Sequence, residues 1–198
     1  MPDNVNRDWD NQTPSEELAA RIAEGDEYAF KILVNRHQAP VLNLIYRFIG
    51  DRMKSEDLAQ ETFLQVWRAA KTYKRKSKFT TWLYRICVNV CLNEIKSTRR
   101  KKWLQYFKNT PDSKHPENES LLDESPNPED LLLARERNQQ ITNALQALPE
   151  NQRIALILKR YDNLSYEEIS RVIGCSIPAV ESLLVRAKRT LQKKLEKF

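Results

Sequence analysis

The sequence predicts an all-α protein: two small helical domains joined by a flexible acidic linker, the C-terminal one containing a helix-turn-helix. Three observations lead there. Only 3 of the 198 residues are Gly, too few for a glycine-rich nucleotide fold or a many-turned β-sandwich, while helix formers such as Leu, Glu, Lys, Arg and Gln abound. No stretch sustains a period of two in β-branched residues, so no strand is expected. The composition then changes abruptly after residue 108, where a proline-containing acidic segment interrupts the helical pattern. The expected organisation is a disordered tail at 1–14, a helical domain at 15–108, a linker at 109–130 and a second helical domain at 131–198.

The helices are expected in the following order. Ser15 can cap a first helix, with Glu16 and Glu17 near its N-terminus and Leu18, Ile22 and Ala23 as its apolar stripe. Gly25 ends it and Asp26 caps the next. Phe30, Leu33, Val34 and His37 continue that helix. Pro40 is expected to restart the chain, with Val41, Leu44, Ile45 and Phe48 forming another stripe closed by Gly50. Further helices are expected at 55–70 and 80–97. From Asn109 to Asp130 there are seven acidic residues, one Lys and four Pro. Such a segment cannot bury enough apolar surface to fold alone. Beyond it, a helix is expected over 128–148 and another over 150–161, with Pro149 at its start.

Composition excludes several classes. With 33 basic and 27 acidic residues the net charge is +6, which suggests an acidic partner such as nucleic acid. Three Cys rule out a disulfide framework. The longest apolar run, Ile154 to Leu158, is far short of a membrane span. The polar N-terminus has no secretory core, so a cytoplasmic location is expected. Cys87 and Cys91, four apart with no clustered His, read as small core residues. His37 and His115 are isolated. No phosphate-binding glycine loop, nucleophile elbow or paired carboxylate in a cleft-like context is present. No catalytic residue, metal, cofactor or small-molecule substrate is expected.

Residues 164–191 carry the most specific local signal. Ser165 and Glu168 form a capping box, and Ile169, Val172 and Ile173 are an apolar face. Gly174 supplies the positive φ of a tight turn. Ser176 caps a second helix with Pro178 in its first turn, and Val180, Leu183, Leu184, Ala187 and Leu191 face inward. Two helices joined by a short turn with Gly make a helix-turn-helix, whose second helix enters the major groove by its N-terminal part. Ser176, Ala179, Glu181, Ser182, Val185, Arg186 and Arg189 are then free to meet DNA. Six Lys and Arg against one Glu from Arg186 onward make a phosphate footprint.

A second pattern lies at 71–103. Tyr73, Phe79, Trp82 and Tyr84 alternate with Lys74, Arg75, Lys76, Lys78 and Arg85. Cations track a phosphate backbone, and aromatic faces stack on unpaired bases. The same spacing also fits an ordinary helix core. At 55–69, Asp57, Gln60, Glu61 and Gln65 form a polar face beside Leu58, Phe63, Leu64 and Trp67. Either a solvated amphipathic helix or a protein-docking face fits that pattern.

Taken in order, 57–69 (DLAQETFLQVWRA), 79–89 (FTTWLYRICVN) and 148–191 resemble the extracytoplasmic-function sigma factors, the small initiation subunits of bacterial RNA polymerase. The resemblance covers nearly the whole chain from about residue 15. It implies that Asp57, Gln60, Glu61 and Leu64 dock on core RNA polymerase. It implies that Tyr73, Lys74, Arg75, Lys76, Lys78, Phe79, Trp82, Arg85 and Asn89 meet the melted promoter −10 element. It implies that the helix-turn-helix reads the −35 duplex, and that an anti-sigma factor, often membrane-anchored, is a partner. The chain departs from the family at Arg75 and Lys76, where Gly and an acid are usual, and at Glu181, where a base is common. Two other classes fit parts of the sequence. A stand-alone DNA-binding regulator leaves 57–89 unexplained. A nucleic-acid-modifying enzyme needs a catalytic cluster that is not found.

Overall fold

The computed structural model describes residues 12–108 and 140–195, and among them every regular element is helical. Helix α1 is Ser15–Ala23, α2 is Glu27–Ile49 and α3 is Arg52–Ala69. A 3-10 turn at Ala70–Thr72 and a loop at 73–78 lead into α4, Phe79–Lys108. After a helical segment at 140–146 come α5 (Glu150–Arg160), α6 (Tyr166–Ile173) and α7 (Ile177–Leu195). The tail at 1–11, the expected linker 109–130 and the start of the expected helix at 128–148 lie outside the described residues.

The caps follow side-chain chemistry. Asp26 accepts from the Ala29 amide at 2.9 Å and is clamped by Arg21, whose Nε donates at 2.8 Å. Asp51 accepts from the Lys54 amide at 3.0 Å. Each satisfies an amide that the first helical turn leaves without a partner. Ser15 is not a cap. Pro14 holds that position, and the Ser15 hydroxyl shares a 2.9 Å hydrogen bond with His37 Nε2 instead.

Two boundaries differ from expectation. Pro40 does not restart the chain, because α2 runs through it as one 23-residue helix. A proline costs one backbone hydrogen bond and some strain. Here His37, Val41, Leu44, Ile45 and Phe48 are buried on one continuous stripe, and that packing holds both sides of Pro40 in a single helix. Helix α4 extends beyond the expected end at Ser97 to Lys108, through a Lys- and Arg-rich stretch of good helix formers.

In the N-terminal half, α1 to α4 pack around Leu33, Val41, Leu44, Phe63, Val66, Leu83, Cys87 and Cys91, all buried. In the C-terminal half, Ile154, Ile157, Leu158, Ile169, Val172, Val180 and Ala187 fill the space between α5, α6 and α7. The halves touch, α4 against α6 and α2 against α5, and their apolar residues merge into one core. Arg153 stitches this junction. It is 8% exposed, and its Nη1 donates to the Phe48 carbonyl at 2.7 Å. Its Nη2 donates to the Gln146 and Leu148 carbonyls at 2.9 and 3.0 Å. Gln146 Nε2 joins it on the Phe48 carbonyl at 3.0 Å. Both donors therefore meet the carbonyl-rich C-terminus of α2, where positive charge is favoured.

Candidate nucleic-acid interface

The first surface is the loop 73–78 with the opening turns of α4. The Tyr73 hydroxyl donates to the Ser77 carbonyl at 2.8 Å, which closes the loop on itself. Arg75 takes a left-handed φ of 51° within it. Three rings meet underneath. Tyr73 sits edge-on to Phe79 at 5.8 Å and tilted to Trp82 at 5.2 Å, and Phe79 lies 5.6 Å from Trp82. The His37 ring backs Phe79 at 5.4 Å. Burial, with the Arg36 charge adding to it, pushes the His37 imidazole down to about 4, so it supports the cluster as a neutral ring.

This arrangement sorts residues that the sequence left together. Phe79, expected to meet the melted strand, is 0% exposed and belongs to the core. It is the base on which the other two rings rest. Tyr73 and Trp82 are half-buried, with an accessible part that a base could stack on. Lys74, Arg75, Lys76, Lys78, Arg85 and Asn89 are exposed around them. Lys78 is shared with the other half of the molecule, since its Nζ lies 3.0 Å from Glu168 Oε1 on α6.

The second surface is the helix-turn-helix formed by α6 and α7. The capping box is reciprocal. The Ser165 amide donates to Glu168 Oε2 at 2.9 Å, and the Glu168 amide to Ser165 Oγ at 3.2 Å. These hydrogen bonds, with Lys78 nearby, hold the Glu168 carboxyl below the usual carboxylate range. Gly174 closes α6 at φ 78°, its amide donating to the Ser170 carbonyl at 2.8 Å. Ser176 Oγ then accepts from the Ala179 amide at 3.4 Å as α7 begins. Val180 and Ala187 are buried, so α7 turns its opposite face outward. Ser176, Glu181, Ser182, Arg186, Lys188 and Arg189 are exposed there, and Ala179 is half-buried. Val185 is 60% exposed on the same face.

The third surface is the outer side of α3. Asp57 and Gln60 are exposed, and beside them Leu64 is 48% and Met53 73% exposed. Glu61 is half-buried and already engaged, accepting from Gln65 Nε2 at 2.7 Å and lying 3.7 Å from Arg68 Nη1. Large exposed apolar side chains rimmed by polar ones are what a protein-docking face requires.

Other chemistry-bearing side chains are structural. Cys87 and Cys91 are free and buried. Burial pushes the Cys87 thiol well above its ordinary value, so it stays protonated and unreactive. Among the described residues no group of three or more His, Cys, Asp or Glu could hold a metal ion, and no helix is long and apolar enough to cross a membrane. Glu16 went unnoticed in the sequence as part of any site. Its Oε1 accepts from the Phe79 amide at 2.9 Å. The partners are 63 residues apart, and only its place in a first helical turn could have drawn notice.

Comparison with known proteins agrees with this geometry. Residues 33–101 match the family model for sigma-70 region 2, and residues 138–191 that for sigma-70 region 4. The chain is 34% identical over 185 residues to the RNA polymerase sigma-H factor of Pseudomonas aeruginosa, covering 93% of this chain and 95% of that protein. It is 34% identical over 187 residues to the ECF RNA polymerase sigma-E factor of Escherichia coli, covering 93% and 96%. Among solved structures it is similar to CnrH in complex with the cytosolic domain of CnrY. There the TM-score is 0.66 and the identity 25%, over 92% of this chain and 97% of that one. It is also similar to the sigma factor RpoE in complex with the anti-sigma factor NepR from Bartonella quintana. There the TM-score is 0.63 and the identity 26%, over 84% and 96%. With a sigma-70 region 2 match followed along the chain by a region 4 match, and relatives 34% identical over 93% of its length, the chain belongs to the extracytoplasmic-function sigma factors, transcription initiation factors that recognise promoters.

Proposed function

We propose that this chain directs core RNA polymerase to its promoters through the three surfaces described above, as a non-catalytic specificity subunit acting in the cytoplasm. Tyr73 and Trp82 stack on bases of the opened −10 strand. Lys74, Arg75, Lys76, Lys78 and Arg85 hold its phosphates, and Asn89 lies further along the same helix. The exposed face of α7, with Ser176, Ala179, Glu181, Ser182, Val185, Arg186 and Arg189, reads the −35 duplex. Asp57, Gln60 and Leu64, with Glu61 at their border, dock α3 on the polymerase. Val185 offers an apolar contact suited to a thymine methyl, and Glu181 an acceptor suited to a cytosine amine. The observation that carries this reading is the pairing of half-buried rings with exposed cations in loop 73–78. That combination suits single strands, whose unpaired bases leave faces free to stack on the rings. Because the similar sigma factor RpoE was solved in complex with the anti-sigma factor NepR, an anti-sigma factor is the expected regulator here, whether free or membrane-anchored.

Run-off transcription tests this directly, with the chain, purified core polymerase and a library of promoter fragments. Transcription from a discrete subset, dependent on the chain, is the expected result and yields both promoter elements. No stimulation together with no binding to core would overturn the proposal in favour of a stand-alone DNA-binding regulator.

A further inference from the structure

The loop that would capture the strand is held by a helix far from it in the chain. Helix α4 begins at Phe79, and the residue before it is Lys78, whose ammonium cannot accept a hydrogen bond. The amides of the first turn need an acceptor. The Thr81 and Trp82 amides find the Lys78 carbonyl at 3.1 and 3.3 Å. The Phe79 amide finds Glu16 Oε1 at 2.9 Å. A carboxylate from α1 thus caps a helix 63 residues later in the chain.

Glu16 rests on a firmly held element. Leu18, Ala19 and Ile22 of α1 are buried. Arg36 Nη1 donates to the Thr13 carbonyl at 2.7 Å and to Ser15 Oγ at 3.2 Å, and Ser15 also joins His37. The hydrogen bond from the Phe79 amide is the main influence holding the Glu16 carboxyl below its ordinary value, and Arg75 and His37 act in the same direction. Glu16 therefore faces the backbone start of α4 and the charge of the loop's left-handed residue together. Phe79 in turn supports the rings of Tyr73 and Trp82.

We propose that Glu16 is a positioning residue of the strand-capture surface: by capping α4 from α1 it fixes the pose of loop 73–78, and with it the two rings that take up unpaired bases. This rests on the reading of that loop given above. Glu16 lies outside residues 33–101, which match the region 2 family model.

The test compares Glu16→Ala and Glu16→Gln in the full chain. Gln keeps an oxygen that can accept from Phe79, whereas Ala keeps none. Two measurements are made. Amide hydrogen exchange on the free protein reads the cap itself, with the α2 amides as internal control. Permanganate reactivity of −10 thymines reads opening, using core polymerase and the fragment best transcribed in the run-off selection, with core affinity measured in parallel. We expect Glu16→Ala to speed exchange at residues 79–82 and to reduce opening about tenfold, the size of one lost charge-assisted hydrogen bond. Core affinity should stay within about twofold, and Glu16→Gln should recover most of the opening. Unchanged exchange at 79–82 overturns the proposal. So does opening by Glu16→Ala equal to that of the parent, or an equal loss of core binding and opening. If the parent itself opens no fragment, the initiation reading falls, and amide exchange alone decides whether Glu16 sets the loop.

Discussion

At the scale of single residues, exposure separates side chains that look alike in the sequence. Phe79 and Trp82 are three apart among the same cations, yet one is sealed in the core and the other is half-buried at the surface. Their substitutions should fail differently. Trp82→Ala should impair promoter opening about 5- to 150-fold while −35 duplex affinity stays within about twofold, if stacking is worth about 1–3 kcal/mol per base. Phe79→Ala should lower the stability of the whole chain by about 3–5 kcal/mol, read by chemical denaturation, because it leaves a cavity beneath both rings. Equal opening and duplex-binding defects in Trp82→Ala would remove its stacking role. The spacing that placed both residues beside cations was legible in the sequence. Which ring faces outward was not, because it depends on what α1 and α2 lay over that end of α4.

At the scale of elements, the helix-turn-helix was the most legible part. Its determinants are local: a capping box across Ser165 and Glu168, a left-handed Gly174 and a cap at Ser176. Each acts within four residues, so sequence spacing alone specifies it. Gly174→Ala tests the turn. An added Cβ would meet nothing within 4 Å, so its whole cost is that of a left-handed backbone, about 1–2 kcal/mol. Thermal unfolding should show that loss, with −35 affinity reduced only in proportion to the unfolded fraction. The opposite case is α2. The rule that proline ends a helix is also local, and at Pro40 it lost to burial on both sides. A local rule worth a few kcal/mol gives way where a continuous apolar stripe contributes more.

At the scale of the whole molecule, the two halves are packed against each other through groups that titrate and pair. Asp162, in the turn after α5, lies close enough to Tyr84 on α4 and Arg47 of α2 for both to act on its carboxyl. Burial pushes its carboxyl up to about 6, against the opposing pull of Tyr84 and Arg47. A carboxyl raised in the packed state is stabilised there as its neutral form. Its contribution to packing is present below its ordinary pKa and lost as pH rises through about 6. Going from pH 5 to 7.5 should therefore loosen the junction, read as a larger radius of gyration by small-angle scattering or a larger interdomain distance by fluorescence transfer. Asp162→Asn, which keeps the shape of the side chain without the charge, should flatten that dependence. A junction indifferent to pH in the parent would show that Arg153 and the shared core, not Asp162, govern its opening. His37 acts in the opposite sense. Its imidazole is held down to about 4, so the stability it lends the N-terminal half is lost as pH falls from about 6.5 toward 4.

The sequence by itself determined the helical class, the two halves, the helix-turn-helix and the basic faces, because caps, turns and 3.6-residue periodicity are written in neighbouring residues. Only the tertiary structure decided that Phe79 is core, that Glu16 caps α4, and that Arg153 of one half closes the last turn of α2 in the other. Burial and long-range hydrogen bonds depend on which distant surfaces meet. Glu16 and Phe79 are 63 residues apart, and Arg153 and Phe48 are 105 apart. No local pattern encodes a partner at that separation; it is fixed when the helices pack.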